Sequence, residues 1–427
     1  MKEGMILNKR PHKRKNNQFK LNFTIFSMSR LISELGTSVF KFALSLYILD
    51  LTGSAALFSV VLGFTILPGV FINIFAGIFI DRHDKKKIII ICDILSAITM
   101  LTFFLVFINF APNIAMFIAL AIILSVIQAF FSIALQSSIP DLVERENVTQ
   151  LNSSYQALGA IINVIGPILG AIAYNYLGLK YVLVIEAISF LFAGVIQVYL
   201  KYRVSEGEKE LKSYKESLKD VFKYLKMQKS IVQLISLVVV INFLLVPLLS
   251  IALPYIAYKG INVSGGQLSL MQAMWFLGII VGAVIVSMEK VNKIVIDKLF
   301  ILLQIQAVFM ILWIFPKFLL SSNISLFIIT GVYCFILTVG GVFNAMTNVP
   351  MLSYLQVKIP EKVRASVFGV VNTAIQIAIP FGFWIYGLAL EHIDWMYVIV
   401  VPGVCLIIIG AFAHSNKPLR QFFSNPN

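Results

Sequence analysis

A protein built of membrane-crossing helices, twelve of them in two halves of six, is what this sequence predicts. Three observations carry that reading. Hydrophobic residues fill 59% of the 427 positions and charged residues only 13%, with a mean hydropathy of +0.91, far above a soluble domain. The apolar residues fall into about a dozen runs, each able to supply the ~20 residues that cross a hydrocarbon core of roughly 30 Å. Lys and Arg sit almost wholly in alternate connections between those runs, the distribution expected of loops that stay on the cytoplasmic side.

Taken in order, residues 1–20 form a basic tail carrying Lys2, Lys9, Arg10, Lys13, Arg14, Lys15 and Lys20. The apolar run behind it lacks a small-residue cleavage site and is too long for a signal peptide, so it reads as a retained first span. A first bundle, 21–201, holds spans near 21–49, 54–80, 86–109, 113–139, 151–177 and 180–201. Residues 202–230 are the one long polar stretch after the tail and form a cytoplasmic hinge. There Leu211, Tyr214, Leu218, Val221, Phe222 and Leu225 recur at helical spacing among lysines. That pattern suits an amphipathic helix on an anionic membrane surface, or a solvated linker helix. A second bundle, 231–414, holds spans near 231–258, 267–288, 297–316, 323–350, 363–390 and 393–414, and 415–427 is a short cytoplasmic tail.

With twelve spans and the N-terminus inside, 29 of the 34 basic residues lie in the inner connections and tails. The outer side holds only Lys180, Lys259 and Lys317, so both termini are expected in the cytoplasm of a multi-pass cell-membrane protein. The net charge of +14 then forms an inner-face belt and implies no nucleic-acid partner. The halves echo one another. An Ile-Pro-acid break ends span 4 (SSIPDLVERENVTQ) and span 10 (LQVKIPEKVRAS), and Pro167 and Pro380 stand half a chain apart. Six spans per half give repeats of the same orientation in the membrane. Cys92, Cys334 and Cys405 lie in apolar runs and the four histidines are scattered, so no metal or other cofactor is expected.

A charge at the centre of a span costs roughly 2.5–3.5 kcal/mol or more and needs a reason. Span 1 carries Arg30, Glu34 and Lys41 on one helical face, and Glu34 falls near mid-membrane. Glu34 is a proton site, a partner for a cationic substrate, or half of a fixed pair with Arg30. Asp93 lies about seven residues into span 3, within reach of the charged segment 81–87, and reads as an anchor for it. Glu186 is placed near the outer face of span 6, where it snorkels or pairs with a neighbouring span.

The stretch GIFIDRHDKKKI resembles the loop 2–3 signature of the major facilitator superfamily, through Gly77, Asp81, Arg82, Lys85 and Lys86. SELGTSVFKFALSLYILDLTGSA (33–55) and PDLVERENVTQLNS (140–153) resemble the drug and macrolide efflux branch of that family. The span 5 motif is kept as Gly166, Pro167 and Gly170, with Ile162 and Ala171 where the family often has glycine. A second-half copy of the loop signature, SMEKVNKIVIDK (287–298), is degenerate. The resemblance implies a major facilitator fold and a secondary transporter, usually proton-driven, that opens a central cavity to either side of the membrane in turn. Spans 1, 4, 7 and 10 line that cavity in the family, which points to Gln128, Ser132, Gln136, Asn242, Tyr333, Asn344 and Thr347. With Asp93, the loop signature becomes a cytoplasmic gate whose Gly77 permits close helix approach and whose Asp81 and Arg82 bind the inner end of a neighbouring helix.

No G-x-x-x-x-G-K-[ST] segment holds nucleotide phosphates, and no Ser/His/Asp set or cysteine cluster marks a hydrolase, so an enzyme is not expected. The expected function is proton-coupled export of bulky amphipathic compounds of macrolide or multidrug type, by a monomer whose partners are substrate, protons and membrane lipid. Alternatives are a dedicated exporter of a siderophore, a lysophospholipid transporter of the same branch, or a transport-dead membrane sensor or scaffold.

Overall fold

The computed structural model describes residues 9–202, 223–320, 325–416 and 419. Most of the expected amphipathic hinge helix, the first eight residues and most of the C-terminal tail lie outside the described residues. The described chain is helical throughout, with no strand. Its helices are α1 (Lys9–Thr52), α2 (Ala55–Phe64), α3 (Leu67–Asp81), α4 (Lys85–Asn109), α5 (Ile114–Leu142), α6 (Arg145–Gln197) and α7 (Lys229–Pro247). They continue with α8 (Gly265–Ser287), α9 (Glu289–Asp297), α10 (Leu299–Ile311), α11 (Phe315–Leu320), α12 (Leu326–Lys358), α13 (Glu361–His392) and α14 (Trp395–Ser415). After α7, two π-helical segments, Leu248–Ala252 and Tyr255–Gly260, carry the seventh span onward. Pro247 and Pro254 stand just before them, each removing a backbone donor that an α-helix would use.

Among the described residues, eleven helical stretches are long and apolar enough to cross a membrane. One of them, Gln150–Gln197, is 48 residues long, and a straight helix of that length would run about 70 Å. It is broken at Gly178, whose φ of 73° and ψ of 166° are open only to glycine, so α6 supplies spans 5 and 6 with a one-residue turn between them. Twelve crossings result. Large apolar side chains such as Phe75 and Phe412 stay about two-thirds exposed, as they do where the solvent is lipid.

Two compact units divide the chain. Unit 1 comprises residues 1–44 and 64–208; unit 2 comprises 45–63 and 209–427. In unit 1 an apolar core gathers at the end of the bundle next to the charged segment, around Phe26, Ile80, Ile89, Phe131, Leu135, Leu142 and Leu200. Fully buried Asn22 stitches that end together: its amide donates to Leu142 O (2.7 Å) and Lys201 O (2.8 Å) and accepts from Lys201 N (3.0 Å).

In unit 2 the helices α8 and α12 pack backbone to backbone, since a Cβ at Gly278 would strike Thr338 O and one at Gly341 would strike Trp275 O. The unit also includes the end of α1. Asp50 there accepts from Lys259 Nζ (3.0 Å) and Tyr258 Oη (2.9 Å), and Glu391 of α13 accepts from Ser54 Oγ and from Ala56 N (3.2 Å).

Candidate functional site

Inside unit 1 the polar side chains that the apolar helices carry converge on one face of α1. Arg30 is the anchor. It is buried, its Nε sits 2.9 Å from Glu34 Oε1, its Nη1 donates to Tyr155 O, and its guanidinium lies 3.3 Å from the centre of the Tyr155 ring. Ion pair, carbonyl and aromatic face together satisfy a cation that lipid would reject. Gly159, one turn on from Tyr155, leaves room for the guanidinium, since a Cβ there would come within 3.3 Å of Arg30.

From Tyr155 the network reaches α5. Gln136 Nε2 donates to Tyr155 Oη (3.3 Å) and to Ser132 Oγ (3.2 Å), which joins two of the expected cavity residues to the span 1 charges. Gln128 follows two turns back on the same helix and is half-buried. Glu34 keeps 29% of its side chain exposed, and Gln136 and Lys41 are open, so this layer is a rim.

A second, closed layer lies behind it. Ser33 Oγ donates to Asp93 Oδ1 (3.4 Å), and Thr37 Oγ1, one turn further along α1, donates to Glu186 Oε1 (2.8 Å) and back to Ser33 O (3.0 Å). Asp93 and Glu186 are each only 1% exposed. Gly36 makes the approach of α6 possible, because a Cβ there would collide with Glu186 Oε2 and crowd Ser189. The field of Lys41 acts on both Glu186 and Glu34.

Spans 5 and 1 press closest at the span 5 motif. A Cβ at Gly166 would strike the Ser38 hydroxyl, and one at Gly170 would lie 2.8 Å from Val39 O and 2.9 Å from Phe42 Cβ. Pro167 between them is buried within α6. In unit 2 the corresponding Gly382 of α13 faces Phe243 and Pro247 of α7, which repeats the arrangement of span 5 on span 1.

The loop signature works through its lysines. Lys85 Nζ binds Asp141 (2.6 Å) and Ser137 O (2.9 Å) at the end of α5, while Lys86 Nζ caps Val198 O (2.6 Å) and Leu200 O (2.8 Å) beyond the end of α6. Asp84 caps α4 by accepting from Lys86 N and Lys87 N. Arg82 is exposed, and a Cβ at Gly77 would meet nothing within 4 Å among the described residues. Asp93 turns toward α1 rather than toward these lysines.

The remaining candidates lie in unit 2 and bond locally. Asn242 donates to Val238 O (2.9 Å), buried Tyr333 donates to Trp313 O (2.9 Å), and Thr347, beside buried Asn344, donates to Gln306 Oε1 (3.1 Å). Among the described residues no group of three His, Cys, Asp or Glu side chains is placed to hold a metal ion. Sequence reasoning missed Tyr155, Ser33, Thr37 and Gln197. An aromatic residue, two hydroxyls and an amide at helical positions carry no signal until the helices are packed.

Residues 26–383 match the profile of the Major Facilitator Superfamily. The chain belongs to this family. It is therefore a multi-pass membrane protein and a secondary transporter. Macrolide efflux protein A of Streptococcus pyogenes is 22% identical over 416 residues, covering 95% of this major facilitator chain and 98% of the relative. An uncharacterized MFS-type transporter of Bacillus subtilis, YkuC, is 28% identical over 177 residues, so this chain matches 40% of that relative's length. Solved members share the fold at low identity. A bacterial homologue of the iron transporter ferroportin superposes with a TM-score of 0.72 at 15% identity, covering 92% of this chain and 98% of its own. A D-xylose-proton symporter gives 0.71 at 14% identity, covering 94% and 98%.

Proposed function

We propose that this chain exports bulky amphipathic compounds of macrolide or multidrug type in exchange for protons, as a monomer in the cell membrane with both termini cytoplasmic. The observation that carries export is the match to Macrolide efflux protein A, which leaves almost none of either chain unaligned. The basic inner-face belt supports the orientation.

The rim layer suits such a cargo. Glu34 offers a partly open carboxylate for the cationic group of an otherwise apolar molecule, with Tyr155 and Gln136 beside it as stacking and hydrogen-bonding surfaces. Arg30 keeps that carboxylate in place, and Lys41 makes the face responsive to charge. Gln128 and Ser132 extend the binding surface along α5, and Asn242, Tyr333, Asn344 and Thr347 are the candidates that unit 2 carries. Gly166, Pro167 and Gly170 hold span 5 against span 1, and Gly77, Asp81, Arg82, Lys85 and Lys86 serve the cytoplasmic gate.

The test is erythromycin uptake into everted vesicles bearing the protein. Accumulation should follow acidification of the vesicle interior and collapse with a protonophore. Accumulation indifferent to the gradient removes proton coupling, and binding without accumulation removes transport.

A further inference from the structure

The closed layer behind α1 buries two carboxylates, each with one oxygen that lacks a full hydrogen bond. Asp93 Oδ2, Glu186 Oε2, Ser96 Oγ and both amide atoms of Gln197 are buried without a hydrogen-bond partner among the described residues. Gln197 of α6 lies close enough to Asp93 for its side chain to act on the carboxyl as a donor, just outside strict hydrogen-bond geometry. Orphaned polar atoms of this kind cost about 1–3 kcal/mol each, more when charged.

Charge tells the same story. The groups that face the pair are Arg30, Glu34 and Lys41 from α1, Tyr155 from the first arm of α6, and Cys92 beside Asp93 on α4. Tyr155 and Cys92 are neutral. Arg30 and Glu34 pair with one another at 2.9 Å, which leaves Lys41, whose field reaches Glu186, to balance two carboxylates that act on one another and bond to α1 one turn, or roughly 6 Å, apart. One positive charge balances one of the two. A single proton balances the other, and it turns one carboxylate oxygen from acceptor into donor.

We propose that Asp93 and Glu186 together hold the exchanged proton, one proton shared by the pair, and that Glu34 is left to the substrate. The inference rests on the proton-coupled reading above and names its site. One O–H bond forms and later breaks: a carboxylate oxygen gains H⁺ and then yields it, with no oxidation or reduction. Because Ser33 and Thr37 donate to these carboxylates, uptake and loss of the proton rewrite the hydrogen bonds of the α1 turn that carries Glu34 on its other side.

The experiment is a pH titration of the infrared carbonyl stretch of protonated carboxyl groups, on the full chain in liposomes and without substrate. Wild type should show one such band that bleaches reversibly on raising the pH. Asp93→Asn and Glu186→Gln should each remove the whole band, because either one leaves a single carboxylate relieved of its neighbour's repulsion, and the double variant should remove no more. The Arg30→Gln/Glu34→Gln pair, which deletes a neutral couple, should keep it. A band that survives both Asp93→Asn and Glu186→Gln, or that vanishes only with Glu34, overturns the proposal. Should a carboxyl variant fail to fold, Ser33→Ala and Thr37→Val take its place: each should displace the titration midpoint with the band retained, and unchanged midpoints in both overturn it. Erythromycin uptake is read separately, so a band that behaves as described in a protein moving no erythromycin removes the export reading and keeps the proton site.

Discussion

Arg30 shows how one residue can be tied into a membrane helix. Its charge is met by Glu34, its remaining donors by a carbonyl, and its flat face by the Tyr155 ring. Lysine has the charge without the plane or the fork. Arg30→Lys should therefore lower stability by about 1–2 kcal/mol, the loss of a desolvated cation–π contact. Thermal unfolding in detergent reads that loss, and an unchanged midpoint would show that the stack contributes nothing. The Arg30/Glu34 pair was legible from sequence because residues four apart share a helix face. The partners of Asp93 and Glu186 were not, since Ser33 and Thr37 are ordinary in an apolar helix until α4 and α6 are laid against it. Glu186 meets a neighbouring span, one of its two expected roles: it accepts from Thr37 of α1, eight residues past the Gly178 turn, roughly 12 Å into the helix.

At the level of elements, small residues decide where helices touch. Gly166→Ala drives a methyl into the Ser38 hydroxyl and should cost about 1–3 kcal/mol through overpacking. Adding Ser38→Ala opens space at that contact and should recover part of the loss; a strictly additive double variant would mean that the strain lies elsewhere. A helix start gives a pH prediction. Asp394 caps α14 through Met396 N (2.9 Å) and binds Lys317 Nζ (2.7 Å). The Lys317 bond, with the Met396 N–H, holds this carboxyl below the usual carboxylate range. A group depressed in this way adds stability that is whole above its unfolded value of about 4 and drains away as pH falls through the lower folded value. Both side chains are open to water, so the effect is small. Asp394→Asn keeps a capping side chain while discarding the charge, and the acid end of its stability curve should be flatter than that of wild type. Parallel curves would assign no role to the ion pair.

Across the whole molecule the hydropathy pattern announced twelve crossings correctly, because span length is imposed by bilayer thickness and survives any packing. Which polar groups meet depends on contacts between helices far apart in sequence, and those leave no periodic trace. The loop signature illustrates the limit. Its lysines tie α4 to the ends of α5 and α6, partners that no spacing in the sequence announces. Orientation yields a prediction at this scale. A fluorescent protein fused after Asn427 or set into the 203–222 segment should mature and glow, while one placed after Gly53 should stay dark; the reverse pattern would invert the topology. Gly178, finally, bears on how the chain is made. Two spans joined by a single non-helical residue leave little slack for one to settle without the other, so 145–177 and 179–197 should insert as one hairpin with Lys180 near its tip.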